Sequence, residues 1–411
     1  VSGAFPPRAY LHIGAPKTGS TFLQGLLWAN RTALRDAGLD VLGPGQGMHY
    51  RAGHDLRDIP FDPNDPGVDW TGAWDQIVRL AQESDAASVI ISDEHLASLT
   101  REQIQRAVST LTPRETHVIY GARDLTSLIP SEWQEYVKHG STATYEDWAR
   151  SVLESQRRGP GRWFWSVHDP LDVVERWSGV VAPQRFHLVT MPPPDAPRDT
   201  LWHRFATVLH VPAAAAPRRE VAGNPSLGWA EAEFLRRVNE ELPEDLPRWH
   251  RSGLVRDVLA TRVLATRQEG IRPTLPSPLA SLVVERAQRT VEGLRATEVD
   301  VVGGLEELTP DPSRLSGGEP PTEATIAAVG VHAAAGLVRV MATMRDDRRR
   351  AERKLRAEST SRTGRLRSRV RTTALAAEAR SEMVHRLLQR YRDWRSSGVS
   401  DAQATTPMAG A

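Results

Sequence analysis

Lys17 stands in the stretch Gly14-Ala15-Pro16-Lys17-Thr18-Gly19-Ser20-Thr21, between the apolar run Tyr10-Leu11-His12-Ile13 and the helical run Phe22-Leu23-Gln24-Gly25-Leu26-Leu27. A strand, a glycine-bearing turn and a helix start aim successive backbone N–H groups and the positive helix end at one point, which makes a cradle for a phosphate-like anion. Gly14 and Gly19 permit the tight turn, Lys17 adds a movable charge, and Ser20 and Thr21 add hydroxyl donors. In a nucleotide triphosphatase loop the lysine directly follows the second glycine. Here Ser20 holds that place and Lys17 lies two residues before Gly19, so its side chain approaches the anion from another part of the loop.

Two other clusters carry chemistry. Val118-Ile119-Tyr120-Gly121-Ala122-Arg123-Asp124-Leu125 puts an arginine at a strand end, with Ser131 eight residues on. Arginine offers a permanent forked charge for a phosphate, and a serine on the next helix can complete its ligation. Val89-Ile90-Ile91-Ser92-Asp93-Glu94-His95 puts polar groups just past a buried strand, on the edge where open α/β sheets bind ligands. Glu94 is the first candidate for a general base there, with His95 beside it and His49 and His54 in a nearby loop as the other candidates.

The loop resembles the 5'-phosphosulfate loop of sulfotransferases that use 3'-phosphoadenosine 5'-phosphosulfate (PAPS), the bacterial-type branch with a P-loop-like fold. Pro16 to Thr21 match each position of its pattern, near P-K-[ST]-G-[ST]-[ST]. That resemblance implies that Pro16, Lys17, Thr18, Gly19, Ser20 and Thr21 hold the phosphosulfate, that Arg123 and Ser131 bind the 3'-phosphate, and that Phe22 meets adenine. It implies in-line sulfuryl transfer to a hydroxyl or amine of a carbohydrate, lipid or natural product. Lys17 would steady the leaving bisphosphate, Glu94 would take the proton, and no metal would be required. Several branches of the family carry Ser-x-Glu where Ser92 to Glu94 stand. The family closes a further loop over the nucleotide, which falls on Arg218 to Ser226 here, with Arg218 or Arg219 as phosphate contacts.

Two other readings compete. Val-Ile-Ile-Ser-Asp-Glu also has the form of a Walker B strand, with Asp93 for magnesium and Glu94 for water, as in a kinase or ATPase using Mg-ATP. A noncatalytic nucleotide-binding scaffold is the third. The segment Arg157 to Asp169, rich in aromatic and cationic groups, either lines an acceptor pocket or packs as a core helix, and core packing is the preferred expectation.

Positioning these groups requires short apolar runs alternating with longer segments of helical period, the pattern of a parallel sheet with crossover helices. Strands are expected at Tyr10–Ile13, Ser88–Ser92, His117–Ala122 and Arg185–Thr190, and helices at Phe22–Ala37, Ala73–Ser84, Arg101–Leu111 and Leu125–His139. Thr100 and Asp124 are expected N-caps. The fold class is therefore α/β, a P-loop-like parallel sheet flanked by helices, followed by a mainly helical C-terminal region. Strand signals fade beyond Gly228, so the sheet is expected to end before it. The expected divisions are a catalytic domain over 1–245, a helical extension over 246–308, a linker over 309–321 and a basic helical region with a disordered end over 322–411.

Composition bounds the rest. The 411 residues contain no cysteine, which excludes thiolate nucleophiles, disulfides and cysteine-ligated metals. A net charge of +1 excludes a globally basic nucleic-acid binder. Between Arg345 and Arg371, 12 Lys or Arg face 4 Asp or Glu, so this stretch is +8 and the remainder −7. Such a helical tail suits a second copy of the chain or an anionic partner. The N-terminal residues lack the pattern of a secretory signal, and Ile326 to Met344, which contains His332 and Arg339, reads as a helix packed on protein. The expectation is a cytoplasmic protein without a transmembrane segment.

Overall fold

A computed structural model describes residues 6–60, 69–155, 158–218, 226–267, 271–315 and 318–360. Six strands form one parallel sheet: β1 (Arg8–Gly14), β2 (Leu39–Val41), β3 (Ser88–Ser92), β4 (Glu115–Ala122), β5 (Phe186–Thr190) and β6 (Asp300–Val302). Their order is β2-β3-β1-β4-β5-β6. The inner strands are buried at nearly every position because both faces are covered. Leu11 and Ile13 enter one core with Val89, Ile91, Val118 and Tyr120. Tyr10 enters the other with Ile90, Ile119 and Val189. The two-residue period of the strand thus feeds two cores from one sheet.

The expected α/β class is what the chain adopts, and the four expected strands are present. Two short strands were not anticipated. β2 has only three residues, and β6 pairs with β5 through His187–Asp300 to Val189–Val302. The sheet therefore does not end before Gly228: the chain returns to it after the helix Ala280–Arg295. Expected helices occur at Ala73–Glu83, Arg101–Thr110 and Leu125–Lys138. The expected helix Phe22–Ala37 is instead two helices, Ser20–Ala29 and Arg31–Asp36, broken at Asn30, whose side-chain amide bonds Leu26 O. Thr100 caps its helix with a reciprocal bond to Gln103, and Asp124 accepts the Ser127 N–H.

The chain divides into two compact units, Val1–Leu337 and Val338–Ala411. Within the expected linker, Pro312–Leu315 is helical, and Arg314 bonds Ser127 Oγ. The helix Glu323–Thr360 begins in the first unit, where it buries Ile326, Val329 and Ala333. Only 22% of its most apolar window is buried, and by length and composition it could cross a membrane. Within the stretch Ile326 to Met344, Val331, Val338, Met341 and Met344 are exposed.

Candidate functional site

β1 lies at the centre of the sheet with β3 on one side and β4 on the other, so the strand order reverses about it. Crevices at such reversals, past the carboxyl ends of the strands, are where open α/β sheets take ligands. Here the three sequence clusters follow β1, β3 and β4. A cavity of about 820 Å³ opens there, and Pro16, Lys17, Gly19, Ser20, Thr21, Phe22, Glu94, Arg123 and Ser131 all line it.

The loop's shape follows from its glycines. Gly14 and Gly19 have φ of 91° and 84°, in the left-handed region. A Cβ at Gly14 would meet Glu94 Cβ at 2.6 Å, so the strand end and Glu94 are in intimate contact. Gly19 opens the helix Ser20–Ala29 without any side-chain cap, leaving the first-turn amides without a side-chain acceptor. Lys17 is also left-handed, at φ 60°, a conformation costing a non-glycine residue about 1 kcal/mol or more. Arg123 Nη1 braces it by donating to the Lys17 carbonyl at 3.2 Å. Thr18 departs from the expected set. It is buried, its hydroxyl donates to Ala15 O at 2.6 Å, and it does not line the cavity, so its contribution there is confined to its backbone.

Lys17 Nζ is paired with Glu135 Oε2 at 2.6 Å. Glu135 also receives Lys138 at 3.5 Å and His139 at 3.3 Å. Burial would raise the Glu135 pKa, but the hydrogen bond from His139 and the charges of Lys17 and Lys138 hold it well below the usual carboxylate range. An anion entering the loop would compete with Glu135 for Lys17. Burial, with Arg272 and Arg314 nearby, lowers the Arg123 pKa against the opposing pull of Asp124. Three guanidiniums, of which Arg314 is paired with Asp311, stand against the Asp124 carboxylate and favour an anion. Ser131 Oγ donates to Ser127 O at 2.7 Å, so it must rotate to donate to a ligand.

Glu135, Lys138, Arg256 and Arg272 line the cavity and were not anticipated. The first two had a signal: from Ser131, helical steps of four and seven place Glu135 and Lys138 on the same face. Arg256 and Arg272 come from distant segments and had none.

The candidates for a base separate clearly. Both His49 nitrogens are engaged, Nε2 with Leu42 O at 2.7 Å and Nδ1 with the Ser92 N–H at 3.1 Å, and burial lowers its pKa. His49 is structural. His54 bonds Tyr50 O through Nδ1 at 3.0 Å and packs between Tyr50 and Trp70, off the cavity wall. Glu94 and His95 both line the cavity. Gln24 Nε2 donates to Glu94 Oε2 at 3.0 Å and so orients the carboxylate as an acceptor. Asp93 Oδ1 accepts both the His95 backbone N–H at 2.9 Å and its Nδ1–H at 2.7 Å. That bond fixes the neutral tautomer and leaves Nε2 with the lone pair. Burial would lower the His95 pKa, but Asp93 and Glu94 raise it above the usual 6.5.

Among the described residues, His54, Asp93 and His95 place one ligand atom each within 4.8 Å of one another. Asp93 Oδ1 bonds His95 directly, while Asp93 Oδ2 is buried without a hydrogen-bond partner. Of the segment Arg157 to Asp169, Phe164, Trp165 and His168 are buried, Trp165 beneath the Arg286 guanidinium, and Trp163 reaches the cavity. Arg157 and Arg219 lie outside the described residues. Arg218 is tied by its backbone to Asn30, with its N–H donating to Oδ1 at 2.8 Å, and it is not part of the cavity wall. Comparison with known proteins finds no matching family model, no matching curated protein and no matching solved structure.

Proposed function

We propose that the chain transfers a sulfuryl group from PAPS to a hydroxyl or amine of an acceptor. The observation that carries this reading is the meeting of Lys17 in its displaced loop position with Arg123 and Ser131 in one cavity, Arg123 bonding the Lys17 carbonyl directly. In the reaction the acceptor oxygen or nitrogen forms a bond to sulfur as the bond from sulfur to the bridging phosphate oxygen breaks, and the departing bisphosphate keeps the electron pair. Lys17 leaves Glu135 and neutralises the charge growing on that bridging oxygen. Amides of the loop and of the first turn, with the Ser20 and Thr21 hydroxyls, hold the nonbridging oxygens. Arg123 and Ser131 hold the 3'-phosphate, and Phe22, which lines the cavity and packs on the core beside it, meets adenine.

The acceptor's proton passes to Glu94 or His95. His95 is favoured because Asp93 holds its ring and leaves Nε2 as the acceptor nitrogen. The same bond counts against a magnesium-dependent kinase, since the Asp93 carboxylate is 3% exposed, engaged with His95 and absent from the cavity wall. Replacing Lys17 with Ala should cut sulfate transfer about 100-fold or more while leaving thermal unfolding nearly unchanged. Unaltered turnover in a folded Lys17→Ala protein would remove the proposed mechanism.

A further inference from the structure

We propose that the acceptor is a carbohydrate whose pyranose ring lies against Tyr50 and Trp163, an assignment that rests on the sulfuryl-transfer reading of the same cavity. Among the described residues no aliphatic side chain other than proline lines the cavity. An acyl chain or a sterol needs a continuous aliphatic wall to leave water, and none is offered. The apolar surface is aromatic instead.

Phe22 stands at the phosphate-binding loop, at the donor end. Tyr50, from the helix Gln46–Leu56, and Trp163, from the helix Gly159–His168, flank His95 with ring centroids at 5.7 and 6.1 Å from it. The rings are set before any ligand arrives. Tyr50 packs on His54 with ring centres 4.0 Å apart and planes tilted by 37°, and the Arg57 guanidinium sits 5.2 Å from the Trp163 ring centre. Tyr50 remains 48% exposed. A phenolic acceptor would favour a slot closed on both ring faces. A half-exposed ring beside ionic groups suits a ligand with one C–H face and a rim of hydroxyls. Glu132, Lys138 and Arg256 line the same cavity and make its wall polar, although Glu132 and Lys138 are largely buried. The placement sets a sugar hydroxyl beside Glu94 and His95, where its proton must go.

The test uses the full chain and saturation-transfer NMR, with adenosine 3',5'-bisphosphate titrated separately. Methyl pyranosides and short oligosaccharides are compared with dodecanol and 2-naphthol, and transfer from labelled donor is followed for each. Sugars should give ring-proton contacts and accept label. Tyr50→Ala should weaken sugar binding about tenfold, Tyr50→Phe should keep it, and bisphosphate affinity should stay the same in both. Unchanged bisphosphate binding also establishes that the variants are folded. Binding of dodecanol or naphthol in preference to every sugar would overturn the assignment, as would sugar binding indifferent to Tyr50→Ala. Tyr50-dependent sugar binding without bisphosphate binding would uphold the carbohydrate site and reject the donor.

Discussion

Lys17 and His95 are each defined by a carboxylate that the other does not use. Glu135 holds Lys17 at 2.6 Å, and Asp93 holds His95 at 2.7 Å, so the two groups that the proposed chemistry would use are placed by separate partners. If His95 takes the proton, protonating it stops the reaction. The rate should then rise with pH through a pKa above 6.5, the direction in which Asp93 and Glu94 move it. In His95→Gln that limb should vanish and kcat should fall about 100-fold or more. A limb that survives the substitution would assign the proton to Glu94. The residue types were readable from the sequence because the loop, the strand-end arginine and the polar run after β3 are each local. Their counterions were not. Glu135 lies 118 residues from Lys17, and only the fold brings them together. Asp93 carried a magnesium role only in the competing kinase reading, and its bond to His95 could not be foreseen from the sequence.

Glycines and helix faces set the geometry at the level of the elements. At Gly19 a Cβ would meet Leu201 Cδ2 at 2.5 Å in addition to the left-handed backbone. Gly19→Ala should therefore lower stability by about 2 kcal/mol and weaken bisphosphate binding, because the helix start must shift to relieve both. Denaturant unfolding and calorimetric titration check the two effects, and an unchanged affinity would show that the loop does not depend on that turn. The long inner strands were legible because parallel strands buried on both faces are unbroken apolar runs. β2 and β6, at three residues each on the sheet edges, carry too little pattern to stand out. Asn30 was hidden for another reason. A residue that bonds Leu26 O through its side chain can end one helix and start the next without interrupting the apolar period.

The whole molecule carries a histidine load that ties its stability to pH. His12 is 2% exposed, and burial lowers its pKa to about 4, as it does for His117. A histidine whose folded pKa lies below its unfolded value is neutral in the fold and charged when the chain opens. The contribution of these two rings is therefore complete above about pH 6.5 and falls as the pH drops toward 4, by up to about 3 kcal/mol from His12 alone. Denaturant midpoints taken between pH 7 and pH 4.5 should decline accordingly, with a shallower decline in His12→Asn. A midpoint independent of pH would contradict the burial of these rings.

The crevice around β1 is proposed to accept adenosine 3',5'-bisphosphate in preference to ATP with magnesium. Calorimetric titration of the full chain with adenosine 3',5'-bisphosphate and, separately, with ATP and magnesium tests it most directly. The bisphosphate should bind at least about tenfold more tightly, without magnesium, and Arg123→Ala should abolish the difference. Preferential binding of magnesium-ATP, insensitive to Arg123, would contradict it.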